Sequence, residues 1–206
     1  SLVLAGAMVA TTSVSAFADD TVPTKEVEIG VGDTEKDVNI SITGDVLDQQ
    51  GNAKPGTISV TVPTAATFTV MKDGEVTSAN MTITNNSKEK IIVVAKGFED
   101  ADGQQNINLV KQEEFNGGKE SVQRGKVWLK LTGGKQNLSF TSENNGKMYN
   151  NDYSEEVNEG KNYEIGKIGE NDSLNLKLQG QGGMDGDASN AIRNEFRLIL
   201  KVKRDR

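Results

Sequence analysis

The residues that could do chemistry in this chain are few. None of its 206 residues is Cys or His. That removes thiol nucleophiles, thiolate or imidazole metal sites, Ser-His-Asp triads and disulfide scaffolds. Carboxylates remain. Glu113-Glu114 and Glu155-Glu156 are adjacent pairs, but a glycosidase needs two carboxyl groups roughly 5 to 10 Å apart across a cleft. Neighbours along a strand point to opposite faces, so both pairs read as surface charge. Glu99-Asp100-Ala101-Asp102-Gly103 and Asp185-Gly186-Asp187 offer oxygen ligands near glycine, as a Ca²⁺ loop would. Neither has the spacing of an EF-hand, and both read as solvated turns. No phosphate-binding glycine loop is present, and five Asn-x-Ser/Thr sequons, at Asn39, Asn80, Asn85, Asn137 and Asn171, are what an Asn-rich chain produces by chance. Trp128, Tyr149, Tyr153 and Tyr163 could stack on a sugar ring. Tyr149 and Tyr153 lie in the polar stretch 144–162 and are expected at the surface, Trp128 in the core or an interface. A Lys–Asn isopeptide bond would need a buried carboxylate and a lysine whose amine is uncharged, and the sequence selects no pair. The expectation is a protein with no enzymatic activity, no cofactor and no metal.

Composition points the same way. Hydrophobic residues make up 34% and aromatics 5%, with 22 Gly and 19 Asn. Low hydrophobicity with many residues tolerant of positive φ suits a turn-rich β protein. The net charge of −7 opposes contact with phosphate backbones, so no nucleic-acid partner is expected.

Elements follow from period-2 alternation. Eleven strand candidates appear: Val27 to Val31, Val38 to Ile42, Ile58 to Val62, Phe68 to Val70, Met81 to Ile83, Ile91 to Ala95, Ile107 to Leu109, Val127 to Leu131, Leu138 to Phe140, Leu174 to Leu178 and Phe196 to Val202. Asp73-Gly74, Asn116-Gly117 and Asn145-Gly146 are tight-turn signals. Pro63 should end its strand. Single helical turns are expected at Ser154 to Glu159 and Asp187 to Asn194. The pattern predicts an all-β protein, a β-sandwich with jelly-roll-like connections, and a core containing Phe68, Ile83, Val93, Leu129, Leu176 and Leu198.

The first residues predict export. Leu2 to Ala16 is small and apolar, and Ala16-Phe17-Ala18 gives an A-x-A site before Asp19-Asp20. Residues 1–18 therefore read as part of a signal peptide cut after Ala18. Residues 19–42 read as an extended N-terminal segment, and 43–206 as the sandwich domain. The stretch is too short and too rich in Ser and Thr for a membrane span. No sorting motif, lipobox or apolar tail is seen, so the processed chain is expected off the membrane, in the medium or associated with the cell surface.

Residues 57–98 carry a further signal: TISVTVPTAATFTVMKDGEVTSANMTITNNSKEKIIVVAKGF. This segment resembles the "VPT…F.V…ITNNS" module of TasA/camelysin-like biofilm matrix proteins of Gram-positive bacteria and, more loosely, of WxL surface proteins. Trp128-Leu129-Lys130-Leu131 does not reproduce the WxL signatures. The resemblance implies a jelly-roll subunit that polymerises into extracellular fibres, an N-terminal segment of one subunit entering the sheet of the next. Here that segment is Asp19 to Ile42, with Val27, Ile29 and Val31 as the stripe of an added strand at the subunit interface. Strand addition satisfies open main-chain groups at an edge and fills alternate side-chain pockets. The same segment could equally be the first strand of its own sandwich. The sequence-based expectation is thus a self-associating fibre subunit. The alternative is a monomeric adhesin or carbohydrate-binding module with a glycan as partner.

Overall fold

Alternating apolar residues can bury one side of a strand against a second sheet, and the chain does this along most of its length. The structure, a computed structural model, describes residues 24–29, 35–42, 58–103, 106–189 and 191–205. Fourteen strands occur among them: β1 (Thr24–Ile29), β2 (Glu35–Ile42), β3 (Ile58–Pro63), β4 (Phe68–Val70), β5 (Val76–Ser78), β6 (Met81–Asn85), β7 (Ile91–Asp100), β8 (Asn108–Leu109), β9 (Lys126–Thr132), β10 (Leu138–Thr141), β11 (Lys147–Asn150), β12 (Tyr163–Ile168), β13 (Ser173–Gly182) and β14 (Phe196–Arg204). The large sheet runs β1-β3-β6-β13-β9-β10-β11, with β8 parallel to β9. The second sheet runs β12-β7-β14-β2, and β4-β5 forms a separate ribbon. The chain crosses between the sheets repeatedly, and one hydrophobic core lies between them. The fold is an all-β sandwich.

Phe98 of the second sheet stacks on Phe140 of the first at 4.4 Å between ring centroids and on Phe196 at 5.5 Å. Ile83, Val93, Leu129 and Leu198 are fully buried, and Leu176 nearly so. Phe68 departs from expectation. It belongs to the separate ribbon, is only half-buried, and lies 6.4 Å from Phe196 at the border of the core.

Three strands escaped the periodicity. β5 has a single apolar residue, and β11 lies in a polar stretch. β12 carries a bulge between Glu164 and Gly166, which puts its apolar residues out of phase. The helical turns also fall elsewhere. Residues 154–158 form no helix, because Val157 N–H bonds Met148 C=O at 2.8 Å and Tyr149 pairs with Glu156 in a bridge. Instead Glu159–Lys161 forms a 3₁₀ turn. Among the described residues of 187–194 there is no helix either. Pro63 ends β3 as expected. Gly74 and Gly146 turn the chain at φ 83° and 112°, conformations that side chains disfavour.

Among the fully buried polar residues, Asn85 makes hydrogen bonds to two separate stretches of the chain. Asn85, at the end of β6, donates its amide to the carbonyls of Glu89 and Gly169, each at 2.7 Å. Its Oδ1 accepts from Ser87 N–H at 3.1 Å and the Ser87 hydroxyl at 2.6 Å. A buried carbonyl left unpaired costs about 1–3 kcal/mol. Asn85→Ala is therefore expected to lower stability by about 2–4 kcal/mol, two carbonyls losing their donor at once. Urea unfolding measures this; a loss under about 0.5 kcal/mol, the ordinary range for a surface change, would refute the assignment.

Candidate functional site: an aromatic ladder beside a polar pocket

β9 alternates strictly between the core and the outer surface of the large sheet. Val127, Leu129 and Leu131 face in, so Trp128 and Lys130 face out. The register Lys130↔Ser139↔Tyr149 places three outward residues side by side on β9, β10 and β11. After β11 the chain folds back, Asn150 N–H bonding Glu155 C=O at 2.9 Å. This return brings Tyr153 over the row. Lys130 Nζ lies 5.6 Å from the centre of the Trp128 ring and 6.0 Å from that of Tyr153. Tyr153 and Tyr149 are 5.9 Å apart, and Lys111 Nζ is 5.6 Å from Tyr149. The result is a ladder of alternating rings and cations, Trp128–Lys130–Tyr153–Tyr149–Lys111. Such contacts stabilise through the ring quadrupole.

The environment of each group follows from this packing. Burial pushes the Lys130 amine below its usual range, with the Asp152 charge partly opposing, and Lys130 also donates to Gln112 Oε1 at 3.0 Å. Burial raises the Tyr149 phenol, helped by its hydrogen bond to Glu143 Oε2 at 3.0 Å. Burial raises Tyr153 too. Ser139 and the Gln112 backbone lie near enough to bias its ionisation, yet its hydroxyl makes no hydrogen bond of acceptable geometry. Tyr153 sits at φ 60°, a left-handed conformation that costs a bulky residue about 1–3 kcal/mol.

Glu143 also lines a pocket of about 330 Å³ with Asn108, Glu114, Thr141 and Ser142. Thr141 is 1% exposed, and its hydroxyl has no hydrogen-bond partner. The sequence marked Trp128, Tyr149 and Tyr153 individually. It missed Lys111, Lys130, Asn108, Thr141, Glu114 and Glu143 as parts of one place. The i, i+2 spacing of Trp128 and Lys130 on an alternating strand was the available signal. Trp128 is half-buried on the outer face, outside the core. Tyr163 stands apart: it packs against the core and donates to Asn137 C=O at 3.2 Å.

The other acidic candidates are tied into the fold's own hydrogen bonds, and Asp100, expected in a solvated turn, is buried with its Oδ2 unpartnered. Asp100 Oδ1 accepts from Gly103 N–H and Asn194 Nδ2, both at 3.0 Å, and Asp102 accepts from Asn194 Nδ2 at 3.2 Å and Glu195 N–H at 3.0 Å. Asp187 accepts from Ser189 N–H and its hydroxyl, both at 2.8 Å. No group of three or more carboxylates placed to hold a metal occurs among the described residues. Glu113, Glu114, Glu155 and Glu156 are exposed, as expected of surface charge. Lys96 meets Asp37, in a short contact, and Glu159 at 2.9 Å. These hydrogen bonds, Asp37 first, raise the Lys96 pKa. Its amine is held charged, the opposite of what an isopeptide step needs.

At the N-terminus, β1 pairs with β3 of the same chain, Val27 opposite Val60 and Ile29 opposite Ile58. The side chains of Val27 and Ile29, and all of Val31, lie outside the described residues, as does 1–23. Among the described residues no helix is long and apolar enough to cross a membrane.

The turn that poses Tyr153 depends on Asp152, whose Oδ1 accepts from the Ser154 hydroxyl at 2.7 Å and Ser154 N–H at 3.1 Å. These bonds hold the Asp152 carboxyl below its usual value of 3.8. A depressed carboxylate supports the turn above its unfolded value and withdraws that support as pH falls through the folded one. An NMR titration should therefore show Tyr153 ring signals moving with a midpoint below 3.8, and Ser154→Ala should bring the midpoint up towards 3.8. A midpoint at or above 3.8 in the unaltered chain would contradict this.

No protein-family model, curated protein or solved structure matches the chain.

Proposed function

We propose that this chain is a secreted structural protein, a non-catalytic subunit of an extracellular fibre that assembles by exchange of N-terminal strands. One observation carries the reading. β1 and β2, consecutive in sequence, each end a different sheet: among the described residues β1 is paired to β3 alone and β2 to β14 alone. A strand held on one side can be withdrawn without breaking any other pairing in its sheet. The edge it leaves, a row of unpaired N–H and C=O groups, accepts the same strand from another copy. The backbone pairs formed in trans are identical to those lost in cis, so the exchange is nearly balanced and concentration decides it. β3 and β14 would then be the acceptor edges, and Asp19 to Ile42 the donor. Because a donated strand leaves the giver's edge to be filled by a third copy, the contact is head-to-tail and propagates. The TasA-like segment at 57–98 supports the same reading, since it contains the acceptor β3. The apolar start with Ala16-Phe17-Ala18 supports export.

Two measurements test the proposal. N-terminal sequencing of the secreted protein should find Asp19 first; retention of Leu2 to Ala18 would remove the export step. By electron microscopy the chain from Asp19 should form filaments with a subunit repeat. A chain lacking residues 19–36, and the variants Val27→Asp and Ile29→Asp, should keep β-rich circular dichroism but remain unassembled. Normal filaments from these variants would leave a self-contained sandwich in place of an exchanging one.

A further inference from the structure

We propose that the outer face of β9–β11, together with the pocket beside it, binds a neutral polysaccharide chain.

The pocket and the ladder are continuous. Glu143 lines the pocket and holds the Tyr149 hydroxyl at 3.0 Å, and Tyr149 belongs to the ladder. The pocket is polar and unfinished. Thr141 has a buried hydroxyl with no partner in the protein, a state that costs free energy until something pairs with it. Two carboxylates, Glu114 and Glu143, stand at its wall with the Asn108 amide. A carboxylate offers about four acceptor positions, and Tyr149 occupies one on Glu143. Acceptors clustered around a buried, unpartnered hydroxyl fit a ligand rich in O–H donors.

The ladder supplies the other half of sugar recognition. Aromatic faces carry partial negative charge and attract the polarised C–H face of a sugar ring. Four successive contacts of 5.6 to 6.0 Å link the five groups, so the face extends beyond a single sugar ring. Tyr153 holds the middle of this series at φ 60° with its hydroxyl unpartnered. A residue kept there against backbone strain and an unmet hydrogen bond is unusual unless its ring is used.

Charge selects the class of polymer. Lys111 and Lys130 already face rings, and Lys130 is further tied to Gln112. The pocket wall carries two carboxylates and the whole chain a net charge of −7. Uronate, phosphate and sulfate polymers are repelled at the pocket, while an uncharged polyol is not. This inference does not rest on the fibre proposal.

The chain has one tryptophan, Trp128, so its emission reports on this face alone. The full chain is titrated with gluco-, manno- and xylohexaose and, separately, with a hexamer of galacturonate. A saturable change in Trp128 emission is expected with at least one neutral hexamer and none with the galacturonate. Glu143→Gln, an exposed position, should weaken binding about tenfold or more. Tyr153→Gly should abolish the change while circular dichroism shows the variant still folded at the titration temperature, since glycine accepts φ 60° freely and relief of that strain offsets part of the lost ring packing. No response to any neutral hexamer up to about 10 mM, a response confined to galacturonate, or unchanged binding in both variants would overturn the proposal.

Discussion

The sandwich depends on burying one amide. Asn85 is fully enclosed, and an enclosed amide must find partners for both donors and its acceptor. It finds them in two separate stretches, the turn leading into β7 and the turn between β12 and β13. β6 and β13 belong to the large sheet, β7 and β12 to the second. A single side chain therefore locks one end of both layers. Asn86 beside it reaches the other way, its N–H to Ser59 C=O at 2.9 Å and its amide to Thr61 Oγ1 at 2.8 Å, tying β3 into the same corner. The stretch Thr84-Asn85-Asn86-Ser87, part of the segment that resembles biofilm matrix proteins, is thus architecture. It ties the two sheets together at this corner.

The same frame decides which parts can be exchanged. β3, β6, β13 and β9 are paired on both sides, as are β7 and β14, and removing any of them would split a sheet. β1 and β2 lie at sheet edges among the described residues and are the first two described strands. Their hold differs. β2 buries Val38 and Ile40 in the common core, opposite Leu200 and Leu198. Its ionic link from Asp37 to Lys96 is partly solvent-exposed and adds little. Release of β2 therefore uncovers core, and only a strand with the same alternation can close the gap. Under the proposed exchange, the requirement for Val38 and Ile40, more than the pairing itself, would restrict the donor to another copy of this chain.

Strands were legible in the sequence wherever apolar residues alternate without interruption, as at Val127 to Leu131 or Phe196 to Val202. They were lost where a bulge shifts the phase in β12, or where pairing rests on the backbone with little apolar content, as in β11. The candidate site was visible only as separate residues. Its assembly depends on Lys130, Ser139 and Tyr149 falling into register across three strands, and on a return of the chain that sets Tyr153 at positive φ. Local periodicity carries none of that. Glu114 and Glu143, from separate connections, line one pocket.

The two proposed functional regions stand at opposite ends of the large sheet. β1 is its first strand and β9–β11 its last three. The proposed exchange at β1 would leave the ladder and the pocket uncovered, because β9–β11 take no part in the donor or acceptor pairings. A fibre built by such exchange would repeat one glycan-binding face per subunit along its length. A polysaccharide is itself a repeat, so once one face is engaged its neighbours meet the same polymer at high local concentration. Linked weak sites can exceed the single-site affinity by 10² to 10⁴-fold. Millimolar binding at each ladder would then suffice to hold a fibre to a polysaccharide surface. In such an arrangement strength would come from repetition, and each contact could remain weak and reversible.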